Sequence, residues 1–149
     1  MASSALPDEL VTVRSPAVVT VAQGGEALAR VSVIVADGFH VQANPASAEF
    51  LIPLRLQLRA QGGVRATIPV YPPGEPYRVE GMPGELMTYD GTFEIVVQLS
   101  AGDSAQPGDR TLRGMLRYQA CDDRSCRFPA SVPVSVPVLV VKTGARDND

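Results

Sequence analysis

Apolar side chains recur at every second position along most of the chain, the spacing of half-buried strands whose successive side chains point to opposite faces. Ala29, Val31, Val33 and Val35 alternate with Arg30, Ser32 and Ile34, and Leu54, Leu56 and Leu58 alternate with Arg55 and Gln57. Phe93, Ile95, Val97 and Leu99 repeat the pattern, as do Leu112, Leu116, Tyr118 and Ala120. Val132, Val134, Val136, Val138 and Val140 make a last strand whose other face carries Pro133 and Pro137. Proline cannot donate to a ladder, so this strand is expected at a sheet edge or a bulge. About seven to nine strands are expected in all.

Turn clusters at Gln23-Gly24-Gly25, Asp37-Gly38, Gln61-Gly62-Gly63, Asp90-Gly91 and Gln106-Pro107-Gly108 separate these runs at a spacing that suits a β-sandwich. No stretch sustains helical i, i+3, i+4, i+7 spacing over three turns, so the expected class is all-β. Residues 69–90 break the alternation: this segment holds five prolines and three glycines and reads as a long irregular loop, the kind that often carries function. The length of 149 residues fits one domain.

Charge and composition remove several functions. Thirteen Lys and Arg against sixteen Asp and Glu give a net charge of −3 with no dense basic patch, which argues against nucleic acid as a partner. The uncharged stretch Phe128–Val141 has 14 residues, three of them proline, too few and too broken to span a bilayer as a helix. Met1–Leu10 contains Asp8 and Glu9 and no basic start followed by an apolar run, so it does not read as a signal peptide. Two cysteines and one histidine, His40, cannot supply a four-ligand structural zinc site, and no metal or cofactor is expected.

The informative constellation is Tyr118-Gln119-Ala120-Cys121-Asp122-Asp123-Arg124-Ser125-Cys126-Arg127-Phe128-Pro129. It reads as a β-hairpin with a cysteine at each side of a short polar connection, and cross-strand neighbours at about 4.5 Å lie within reach of a disulfide. As a staple such a bond would contribute only about 2 kcal/mol in the chain-constraint account. A redox pair, a bland staple and two free thiols all remain open on these grounds. Counting parity from Leu116 and Tyr118 puts Cys121 on the opposite, accessible face. The acids Asp122 and Asp123 disfavour a thiolate beside them, whereas Arg124 and Arg127 favour one at Cys126.

Further segments complete a pattern: Asp37-Gly38-Phe39-His40-Val41-Gln42-Ala43-Asn44-Pro45, Phe50-Leu51-Ile52-Pro53, Val70-Tyr71-Pro72 and Tyr89-Asp90-Gly91, followed by the cysteine hairpin. In order and spacing they resemble the N-terminal periplasmic domain of the thiol:disulfide interchange protein DsbD over roughly residues 10–141. The resemblance implies an immunoglobulin-like β-sandwich with a long proline-rich cap loop, flanked here by an N-terminal extension, 1–9, and a polar tail, 142–149. It also implies that Cys121 and Cys126 are a redox pair relaying electrons from a thioredoxin-like domain to oxidised periplasmic proteins, the second cysteine forming the mixed disulfide. Tyr89 falls in the loop that lays an aromatic cap over the sulfurs, with Asp90 where some members carry a second aromatic residue. Arg127-Phe128-Pro129 also departs from the apolar residue and two prolines often found there. A membrane tether would lie outside this chain, and a monomer is expected.

The rival function is a non-enzymatic immunoglobulin-like binding or adhesion module with a structural disulfide. His40 reads as a structural residue at a strand start, unplaceable near the sulfurs from sequence. Asp122-Asp123 read as turn-solvating acids. Tyr71, Tyr77 and Tyr89 read as packing residues rather than a sugar-binding platform.

Overall fold

The computed structural model describes residues 10–143. The extension 1–9 and the end of the tail, 144–149, lie outside the described residues. Those residues form strands and turns with no helix. The strands are β1 (Val11–Arg14), β2 (Val19–Ala22), β3 (Glu26–Val35), β4 (His40–Gln42), β5 (Arg55–Leu58) and β6 (Val64–Ala66). They continue as β7 (Glu75–Tyr77), β8 (Leu86–Tyr89), β9 (Thr92–Ala101), β10 (Gly108–Tyr118), β11 (Ala120–Cys121) and β12 (Ala130–Val141). The twelve strands exceed the expected number because the additional ones are two to four residues long, too short to register as an alternation.

Three four-stranded sheets result, in the orders β1-β3-β9-β6, β2-β12-β10-β5 and β11-β4-β8-β7. The long strands follow the predicted phase. Val31, Val33, Ile95, Val97 and Leu99 of the first sheet are buried against Leu112, Leu116, Val136 and Val138 of the second, in one continuous core. Each such side chain, taken fully out of water, contributes about 1.5–3 kcal/mol. This immunoglobulin-like sandwich is the frame on which the third sheet rests.

The proline-bearing strand departs from expectation. β12 pairs with β10 from Ala130 to Val140 and with β2, in parallel, from Val138 to Val141, so its C-terminal part is interior to the sheet. Pro133 and Pro137 both precede that second pairing. The missing N–H groups therefore fall where β12 has one neighbour, as proline requires.

Residues 69–90 also differ from the irregular loop expected, because the segment contains β7 and β8. Among the tail residues, Thr143 is fastened through its N–H and hydroxyl to the side chain and carbonyl of Gln23.

Candidate functional site

The cysteine hairpin is built by its own backbone and by one carboxylate. Asp122 N donates to Ser125 O at 2.9 Å, and Arg127 N donates to Ala120 O at 2.7 Å. Asp122 Oδ1 accepts the N–H groups of Arg124 and Ser125 at 2.9 and 2.8 Å, the local turn chemistry that aspartate favours. Those two N–H bonds, helped by the Arg127 and Arg124 guanidinium groups, hold the Asp122 carboxyl below its ordinary range. Within this frame Cys121 and Cys126 are antiparallel bridge partners, with Cα atoms 3.9 Å apart, and their sulfurs are bonded.

The two sulfurs have different surroundings. Cys121 is fully buried, which corrects the accessible position expected from parity, whereas Cys126 is partly exposed. The phase fails at Gln119, where β10 has ended and the chain crosses to the third sheet. Gln119 accepts Gln42 N on its carbonyl at 3.1 Å and Ile52 N on Oε1 at 2.9 Å, and its Nε2 donates to Arg127 O at 3.1 Å. Both Ala120 and Cys121 follow buried, one toward each face of the third sheet.

That sheet sorts the site residues by pleat. Ala120 lies opposite Val41, and Val41 opposite Tyr89, so these three share the face that closes the main core. Cys121 lies opposite His40, which puts it on the other face. Here Cys121 joins Leu51, Val79 and Leu86 in a second apolar cluster, against which Ala46, Ala48, Tyr77, Met82 and Cys126 pack. Glu80 N donates to Asp123 O at 2.8 Å and fastens the segment after β7 to the hairpin tip.

The cap assigned to Tyr89 is therefore corrected. Tyr89 is only 5% exposed, its ring lies 4.7 Å from that of Phe93, and its hydroxyl accepts Asn44 N at 3.0 Å. Alternation along β8 points it away from the disulfide face. The aromatic ring on that face is Tyr77, stacked on His40 with ring centroids 3.5 Å apart. Burial, and then the Asp123 and Asp122 carboxylates, push the Tyr77 phenol above its ordinary value. Asp90, after β8, is near the site: its Oδ2 lies 3.6 Å from His40 Nε2, positioned by a turn in which Gly91 takes φ +63°.

Two residues that the sequence did not place at the cysteine pair, His40 and Gln42, thus stand beside it. Gln42 Nε2 donates to Cys121 Sγ at 3.3 Å. The signal for them was in Phe39-His40-Val41-Gln42, where alternation puts the two polar side chains on one face. Tyr71, like Tyr89, is occupied within the fold, its hydroxyl accepting Leu56 N at 2.9 Å. On the flank of the hairpin, the Arg127 guanidinium carbon lies 5.1 Å from the centre of the Phe39 ring, and Phe128 is 92% exposed.

No curated protein matches the chain by sequence. Among solved structures, the N-terminal periplasmic domain of ScsB from Proteus mirabilis aligns with a TM-score of 0.63 at 17% identity, over 89% of this chain. The alignment covers 48% of that ScsB chain, so the present chain spans about half of it. The reduced N-terminal domain of Neisseria meningitidis DsbD aligns at 18% identity over 88% of this chain and 87% of that one, with a TM-score of 0.49. The family model for the N-terminal domain of the thiol:disulfide interchange protein DsbD matches residues 8–136. With a bonded cysteine pair in the hairpin of an all-β sandwich, and a family match over most of its length, this chain belongs to the DsbD N-terminal domain family.

Proposed function

We propose that this domain is a thiol–disulfide exchange module that accepts electrons from a thioredoxin-like dithiol and passes them to oxidised periplasmic proteins. The observation that carries this reading is the unequal setting of the pair: a partly exposed Cys126 bonded to a fully buried Cys121. A thiolate of the partner attacks Cys126 Sγ, the bond to Cys121 Sγ breaks, and the electron pair leaves on Cys121. The partner's second thiolate then attacks its own sulfur in the mixed disulfide and leaves with it as a disulfide, releasing Cys126 as a thiolate. The domain is left with two thiols once protons are taken from solvent. The reverse sequence reduces an oxidised client. Arg127 beside the second cysteine favours its thiolate, while its pairing with Asp122 at 3.7 Å ties that charge to the turn. The periplasmic setting rests on the family and on the ScsB relative.

The test is trapping. Cys121→Ser offered a thioredoxin-like partner whose second cysteine is replaced by serine and whose first is activated as a mixed disulfide with thionitrobenzoate should expel that small thiolate and accumulate a covalent complex through Cys126, resolved on non-reducing electrophoresis. Cys126→Ser should accumulate little. Trapping through Cys121 would reverse the roles, and no complex with either variant would leave the disulfide a structural staple.

A further inference from the structure

Gln42 and Thr88 are the buried polar side chains among the described residues. Thr88 satisfies its hydroxyl on Glu75 O at 3.4 Å. Gln42 is satisfied on one side only: its Nε2 donates to Cys121 Sγ at 3.3 Å, and its Oε1 is buried without a hydrogen-bond partner. Such an amide is a poor device for stability. A sulfur is a weak acceptor, and an enclosed carbonyl without a donor costs about 1–3 kcal/mol of desolvation. A leucine of similar size would bury as well and leave nothing unpaired.

What the amide suits is a charged sulfur. Attack on Cys126 expels Cys121 Sγ as a thiolate among the buried apolar side chains of Leu51, Val79 and Leu86, where an anion without a hydrogen-bond donor is strongly disfavoured. Hydrogen bonds to an ionised acceptor are roughly twice as strong as neutral ones, so the Nε2–H contact gains strength as charge develops. We propose that Gln42 is the hydrogen-bond donor that stabilises Cys121 as the leaving and resolving thiolate. This rests on the exchange reading above. The bond made joins the attacking sulfur to Cys126, the bond broken joins Cys126 to Cys121, and the electron pair goes to the sulfur that Gln42 already touches.

The experiment compares the full chain with Gln42→Leu and with Gln42→Met, which keep the side chain's size and burial but remove its N–H donors. Reduction of the disulfide by dithiothreitol is followed by alkylation and mass. Both variants should reduce about tenfold more slowly, the loss of one hydrogen bond to a charged group. Alkylation of Cys126 in the Cys121→Ser background should stay at its original rate, whereas a merely loosened site would speed both reactions. Gln42→Leu should be at least as stable as the parent. Reduction at the parental rate overturns the proposal, and so does unfolding of both variants, which would make Gln42 a structural residue. The exchange reading fails separately, if neither Cys121→Ser nor Cys126→Ser, each with Gln42 intact, traps a thioredoxin-like partner.

Discussion

His40 and Cys121 face each other across the β4–β11 ladder, although the chain runs through six other strands between them. The pairing brings the Asp37-Gly38-Phe39-His40 turn to the disulfide. His40 then links the sulfur to two further elements, through Tyr77 stacked on its ring and Asp90 at its Nε2. The site is thus assembled from the hairpin, β4, β7 and the β8–β9 turn, all of them on or beside the third sheet.

The opposite facing of Tyr77 and Tyr89 gives a direct test of which aromatic covers the pair. Tyr77→Ala should speed alkylation of the reduced cysteines by small reagents. Tyr89→Phe should leave that rate unchanged while costing about 1–3 kcal/mol, because Asn44 N loses its acceptor inside the fold. Chemical denaturation and alkylation kinetics on both variants check this, and a faster rate in Tyr89→Phe would restore the cap to Tyr89.

Long strands were legible in the sequence and short ones were not, for a physical reason. β3, β9, β10 and β12 are ten to twelve residues long, and each buries alternate positions along its core-facing half, which writes a period of two into the sequence. β7, β8 and β11 have two to four residues and carry no local mark, and β4 shows only the short alternation His40-Val41-Gln42. The hairpin and its cysteine pair were legible because turn and sulfur chemistry are local. The burial of Cys121 was not, since Gln119 leaves the ladder to bond Gln42, Ile52 and Arg127, and parity does not carry across such a break.

Acid should act on the hairpin through Asp122. Its carboxyl is held below the ordinary value of 3.8 in the folded protein, so over that range the unfolded chain binds more protons and stability rises with pH. The contribution is fully present above the unfolded-state value and is lost as pH falls through the lower folded value. Asp122→Ala should therefore be less stable than the parent at neutral pH, and the two should converge in strong acid. Urea midpoints taken across that window measure it, and a difference that persists unchanged at the lowest pH would mean that Asp122 acts through packing.

Gln119 ties the buried sulfur to its cover. Its Oε1 receives Ile52 N beside Leu51, one of the side chains clustered with Cys121, and its Nε2 holds Arg127 O next to Cys126. Gln119→Ala removes both bonds and leaves a part-buried N–H and a carbonyl to find water, at a cost of about 1–3 kcal/mol. The loss falls on the loop bearing Leu51, so opening there should exceed opening elsewhere in the sandwich. In the Cys126→Ser background, where Cys121 is the remaining thiol, Gln119→Ala should raise its alkylation rate by about the same free energy, roughly fivefold or more. Hydrogen exchange at Ile52 N should rise in parallel, while amides of β3 and β9 keep their protection. Equal loosening across β3, β9 and the Leu51 loop would show instead that Gln119 supports the whole fold rather than the cover of the buried cysteine.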